Sequence, residues 1–253
     1  MQTTPNTVAE LATTLPQSIM VLERLGIDYC CQGKQTIEQA CSRHGITADE
    51  LLTLINAAPQ PSTGERTWDH EPMSEIIAFI AGTHHRYTRE ALAMLSPVAT
   101  KVRQVHGANH DELRLVEKLV HELSDDLLPH MLKEEQVLFP YVNAVEDASM
   151  LGNEPPLPFF GTARNPIRMM MLEHEAVGEK LLEIRTLTTN FTLPPEACTS
   201  YRTLYTKLEE LEQDLHRHIH LENNILFPRA IEVEEKTRTT PVSAAFNDHC
   251  CAK

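Results

Sequence analysis

The stretches HMLKEEQVLFP, residues 130–140, and HIHLENNILFP, residues 218–228, decide how this chain is read. Each begins with histidine, carries glutamate four residues on, Leu-Phe eight and nine on, and proline ten on. Asp126 and Asp214 each stand four residues before the histidine, so the shared pattern is D-x3-H-x3-E-x3-L-F-P. A histidine also precedes each copy on an earlier helix: His84 lies 46 residues before His130, and His174 lies 44 before His218. Two long helices per copy, doubled, predict an all-α, up-down four-helix bundle.

Residues four apart on a helix share a face, about 6 Å apart along the axis. His130 with Glu134, and His218 with Glu222, can therefore reach a common point from two helices. On the second helix Leu113, Val116, Val120, Leu123 and Leu127 step by threes and fours into His130, Glu134 and Val137. Leu204, Leu208, Leu211 and Leu215 lead likewise to His218, Glu222 and Ile225. On the third helix His174 stands between Met170 and Val177, and on the first His84 follows Ile77 and Ile80. All six polar residues fall where the pattern asks for apolar ones. A lone seam histidine is usually a core residue, and a single His-x3-Glu usually an exposed pair. Six such positions in two register-matched copies call for compensation, because each unpaired buried polar group costs about 1–3 kcal/mol and a charge more.

Two metal ions supply that compensation. Imidazole and carboxylate together suit iron or manganese, and a set without thiolate speaks against structural zinc. Two histidines per ion and bridging glutamates read as iron, with coordination positions left for oxygen-type or small diatomic ligands. Asp126 and Asp214 are open between orienting an imidazole and standing in solvent. His85 and His220 read as lying off the ligand face, and His106, His110 and His121 as helix-end or surface residues. Glu135 has no carboxylate counterpart in the second copy, where Asn223 stands, so Glu134 is the ligand candidate.

The 253 residues carry a formal charge of −14, which argues against nucleic acid and anionic membrane surfaces as partners. No apolar run approaches the roughly 20 residues that cross a bilayer, and MQTTPNTVAEL lacks the features of a secretory signal, so a cytoplasmic location is expected. The six cysteines, Cys30, Cys31, Cys41, Cys198, Cys250 and Cys251, are spread too unevenly for a secreted disulfide framework and read as reduced thiols. A small helical domain is expected over residues 1–60, with Gly26 closing one helix and Thr47 and Glu50 forming a capping box for another. A linker over 61–75, the bundle over 76–235 and a disordered tail over 236–253 complete the expected order. The four long helices are expected near 72–105, 110–145, 166–189 and 195–234, with bends at Pro97, Pro129 or Pro140.

These residues resemble hemerythrin-like domains and, more closely, the Repair of Iron Centres family of iron–sulfur cluster repair proteins. LGIDYCCQGKQTIEQAC at 25–41 is similar to that family's Asp-Tyr-Cys-Cys signature, and PPEACTSY at 194–201 to a connecting segment. The resemblance implies two non-haem iron ions, oxo- and carboxylate-bridged, held by His84, His130, Glu134, His174, His218 and Glu222. It implies repair of clusters damaged by nitric oxide or oxidants, damaged iron–sulfur proteins as partners, a homodimer, and a redox or iron-transfer role for Cys30 and Cys31. Reduction of nitric oxide to nitrous oxide, or binding and sensing of dioxygen or nitric oxide, stand as alternatives. The loop LGNEPPLPFFGTARNP at 151–166 and the His249-Cys250-Cys251 tail depart from the family pattern.

Overall fold

The computed structural model describes residues 5–59 and 68–239, so residues 61–67 of the expected linker and the Asp248–Cys251 tail lie outside the described residues. Four short helices come first: α1 (Val8–Thr14), α2 (Gln17–Leu25), α3 (Ile37–Arg43) and α4 (Ala48–Ala57). Thr7, Thr36 and Thr47 open α1, α3 and α4 with capping boxes closed by Glu10, Gln39 and Glu50. Each box satisfies backbone N–H groups that a helix of under three turns could not spare. Gly26 ends α2 at φ 69°, in the left-handed region that favours glycine. Among the described residues there is no strand, only one antiparallel bridge between Thr7 and Thr36.

The bundle's first long helix runs from α5 (Met73–Phe79) through a π segment at Ile80–His85 into α6 (Arg86–His106). The second runs from α7 (Glu112–Lys133) through a π segment at Glu134–Leu138 into α8 (Phe139–Leu151). The third is α9 (Arg164–Leu187), and the fourth joins α10 (Thr199–His220) to α11 (Phe227–Thr239) through a π segment at Leu221–Leu226. Pro97 and Pro129 lie inside α6 and α7, and Pro140 is taken into the first turn of α8. The fourth helix continues into the region expected to be a disordered tail, as far as Thr239.

Two apolar cores fill the bundle. One is built from Leu92, Leu95, Val116, Leu123, Leu181, Leu208 and Leu215, and is continuous with the small domain through Leu22, Tyr29 and Leu51. The other is built from Ile76, Ile80, Phe139, Val142, Ile167, Leu226 and Phe227. Between them lies a buried polar layer of His84, His85, His130, Glu134, His174, His218 and Glu222. Apolar packing above and below keeps this layer dry, which makes its internal electrostatics strong.

Candidate metal centre

Three of the four long helices deliver polar residues to this layer at or beside a π segment. A π turn inserts one residue into the α-helical repeat and rotates the remainder of the helix, and such insertions are frequent at functional sites. On the first helix the apolar steps Met73, Ile76 and Ile80 are followed by His85, five residues on, and then by Thr88, Ala91 and Leu95.

Two sets of donors result. His85, His218, Glu134 and Glu222 form one, and His130, His174, Glu134 and Glu222 the other. His85 Nε2 and His218 Nε2 are 3.1 Å apart, and His130 Nε2 and His174 Nε2 are 3.0 Å apart. Each glutamate spans both sets. Glu134 places Oε2 3.4 Å from His85 Nε2 and Oε1 3.4 Å from His130 Nε2. Glu222 places Oε1 3.1 Å from His218 Nε2 and Oε2 3.2 Å from His174 Nε2.

The outward nitrogens fix the tautomers. His85 Nδ1 donates to Glu135 Oε1 at 2.8 Å, and His130 Nδ1 to Glu173 Oε2 at 2.7 Å. Asn223 Nδ2 donates to the Cys30 carbonyl at 3.1 Å, which turns Oδ1 toward His174 Nδ1 at 2.9 Å. A carboxylate or carbonyl oxygen can only accept, so these three Nδ1 atoms carry hydrogen and each Nε2 presents its lone pair inward. The lone pairs of His130 and His174, 3.0 Å apart, repel unless a cation stands between them, whereas His218, whose Nδ1 has no partner, can donate from Nε2 to His85. Glu134 receives no hydrogen bond at either oxygen, nor does Glu222 at Oε2, although both side chains are fully buried. Such orphaned acceptors fit a pair of metal ions.

The alternative occupant is a proton. Burial disfavours charge on His85 and His130, yet Glu134 and Glu222 outweigh it and hold both imidazoles up at about 10. Burial pushes both carboxyls up, and the charge of Glu222 adds to this at Glu134. The facing imidazoles pull harder and leave Glu134 lowered and Glu222 well below its ordinary range. Burial holds His218 down. The pocket thus demands positive charge at the points where the donors converge.

Residues 81–230 match the hemerythrin HHE cation-binding domain, and residues 4–59 match a domain of unknown function, DUF542. Proteins named iron–sulfur cluster repair protein YtfE from Salmonella schwarzengrund, Salmonella paratyphi B and Salmonella newport are each 37% identical over 228 residues, 90% of this chain and 97% of theirs. The chain belongs to the YtfE-type iron–sulfur cluster repair family.

Within this YtfE-type chain the structure brings together His130, Glu134, His174, His218 and Glu222, but not His84. Where the sequence reading expects His84, the cluster has His85. An unbroken α-helix would carry the seam from Ile80 to His84, and the π segment moves it on by one residue. His84 instead sets Nδ1 3.0 Å from Asp214 Oδ1, with its ring stacked on that of His218 at 5.5 Å. Asp126 meets Lys180 Nζ at 2.9 Å and takes no part in the cluster. Sequence reasoning does not reach Glu135, Glu173 and Asn223 as orienting groups. Glu135 and Asn223 occupy the same place, directly after the glutamate, in the two copies, and that shared position was the available signal.

Cys30 and Cys31 lie beside this layer in the small domain. Cys31 Sγ is 3.4 Å from the His174 carbonyl oxygen, and the two sulfurs are 3.5 Å apart. Asp28 Oδ1 accepts from the N–H groups of Cys30 at 2.9 Å and Cys31 at 2.8 Å, fixing the loop. Asn224 Nδ2 donates to the Tyr29 carbonyl at 3.0 Å, so two consecutive asparagines on the fourth helix hold the thiol loop against the bundle. Cys41 is buried, and Cys198 is exposed with Sγ 3.2 Å from His106 Nε2.

Proposed function

We propose that this protein holds two non-haem iron ions and repairs damaged iron–sulfur clusters by supplying iron. His85 and His218 serve one ion, His130 and His174 the other, and Glu134 and Glu222 bridge them. The observation that carries the reading is the pairing of inward-facing Nε2 atoms at 3.0 and 3.1 Å, with a carboxylate oxygen from each glutamate beside each pair. When bound, the iron pair supplies a redox-active centre with positions open to an oxo bridge, dioxygen or nitric oxide. The protein's own part is to hold the imidazoles by Glu135, Glu173 and Asn223, to keep water out with the two apolar cores, and to bring the thiol loop alongside. Hard and borderline donors without thiolate hold ferrous iron less tightly than a thiolate cage would, which suits a donor. The acceptors are iron–sulfur proteins damaged by nitrosative or oxidative stress, in the cytoplasm, and the working form is a homodimer.

Iron-loaded protein incubated with a cluster-stripped enzyme tests the reading. Activity returns with the wild type and fails to return with His130→Ala. No recovery with fully loaded wild type removes the proposal. The placement of Cys30 and Cys31 beside His174 favours one second reading, in which two nitric oxide molecules, two electrons and two protons give nitrous oxide and water. Repeated turnover with an added reductant, lost in Cys30→Ser and Cys31→Ser, distinguishes it.

A further inference from the structure

The Asp28–Cys30–Cys31 loop is itself built as a ligand set. Cys30 Sγ lies 3.5 Å from Cys31 Sγ and 3.4 Å from Asp28 Oδ1, and the three donor atoms all lie within 4.8 Å of one another. A tetrahedral ion with bonds of about 2.3 Å to sulfur and about 2.0–2.2 Å to oxygen holds its ligand atoms about 3.5–3.8 Å apart. Two edges of the triangle therefore have close to the right length before any ion arrives, and the third lies within 4.8 Å. Adjacent cysteines are strained as a mutual disulfide, so the pair favours free thiols over a closed bond.

The surroundings supply an entrance. The loop lines a cleft of about 460 Å³ between the small domain and helices α9 and α10. Glu23, Glu175, Glu179 and Glu212 line it with Arg43 and Arg185. Arg185 is bound to Glu212 and Glu23 pairs with His216, which leaves Glu175 and Glu179 against Arg43, a small acidic excess that favours cations. Gly178 on α9 leaves the room: a Cβ there would come within 3.2 Å of Cys31 Sγ. On its other side Cys31 Sγ rests 3.4 Å from the carbonyl oxygen of His174, and Cys30 is tied to His174 through Asn223. The thiol loop thus stands between the buried polar layer and open solvent.

We propose that Asp28, Cys30 and Cys31 form a second, open metal site that takes one borderline-soft divalent ion, with ferrous iron in transit as its cargo. Binding breaks the two S–H bonds, forms two metal–sulfur bonds and one metal–oxygen bond, and releases two protons to solvent, with no change of oxidation state. The fourth position faces the cleft, where a thiolate of an acceptor protein can complete the ion's shell and draw it off. Two thiolates select iron, cobalt or zinc over magnesium and calcium. The cargo role rests on the cluster-repair function, whereas the binding does not.

Cobalt(II) is the probe, added without oxygen to the iron-loaded full chain. About one equivalent binds with thiolate-to-cobalt charge-transfer absorption, and added ferrous iron competes it away. Cys31→Ser and Cys30→Ser each remove the band and weaken binding more than about tenfold, while Cys41→Ser and Cys198→Ser leave it unchanged. Retention of the bundle iron in every variant controls for folding. Absence of the band in wild type, or its survival in Cys31→Ser, overturns the site. Cluster repair that fails while the cobalt band is intact sinks the repair reading alone and leaves the site standing.

Discussion

Nε2 of His85 and Nε2 of His218 face each other at 3.1 Å in the dry centre of the bundle, on helices far apart in the chain. Nothing holds a hydrogen on His218 Nδ1, so these two rings can share one at Nε2, whereas His130 and His174, each donating from Nδ1, turn lone pairs toward each other at 3.0 Å and call for a cation between them. One ligand assignment separates this arrangement from simple helical periodicity. His85→Ala cuts the iron content to about half or less of wild type, since it removes one donor outright. His84→Ala, which removes the contact with Asp214 and the ring stacked on His218 but no donor of the cluster, keeps most of the complement. Metal analysis of the two purified variants reads the difference, and the reverse result would return the ligand role to His84.

Loading must also displace protons. Carboxylates hold His85 and His130 up at about 10, so the metal-free protein carries protons on these rings at neutral pH. Ferrous iron takes up the same nitrogens and drives those protons off. Proton release is therefore largest near neutrality and fades as pH rises through about 10, while metal affinity climbs over the same range. Titration in weak buffer with a pH indicator measures it. Uptake of iron at neutral pH with no proton release contradicts the arrangement.

The groups behind the ligands carry their own share. Asn223→Leu removes the acceptor of His174 Nδ1 and the donor to Cys30, and weakens metal binding about 10–100-fold. Glu135→Leu does the same to His85. Metal competition with a chelator gives both numbers. Asn223→Leu should in addition speed hydrogen exchange in residues 28–32, which Glu135→Leu leaves alone.

The small domain has a separate weak point. A Cβ on Gly33 would stand 2.5 Å from the Tyr29 carbonyl oxygen and 2.7 Å from the Ala9 Cβ. Gly33→Ala forces the thiol loop and α1 apart and costs about 1–3 kcal/mol, with the bundle iron retained. Urea unfolding followed at the small domain and by iron release distinguishes the two halves.

Much of this was legible in the chain. The doubled H-x3-E-x3-L-F-P pattern marked the bundle, and its seam residues led to His130, Glu134, His174, His218 and Glu222. The capping box at Thr47 and the glycine after α2 were equally plain, because caps act over four residues. His85 was hidden because a repeat of 3.6 residues has no term for a π turn, and the helix takes one extra residue between Ile80 and the cluster. Val137 was misplaced for the same reason: the π segment at Glu134–Leu138 leaves Val137 half-buried and turns Leu138 and Phe139 into the core. Asn223 and Glu135 stayed hidden because an amide and a carboxylate do not look alike, though both accept from an imidazole. Contacts such as Cys31 with His174, or Glu173 with His130, join residues on different elements and leave no trace in local spacing.

Mössbauer spectroscopy on the purified, iron-loaded protein, with iron counted per chain, bears most directly on the claim that the two glutamates span two ions. About two irons per chain in one spin-coupled pair is the predicted result. A folded protein holding a single uncoupled iron, or none, would contradict it.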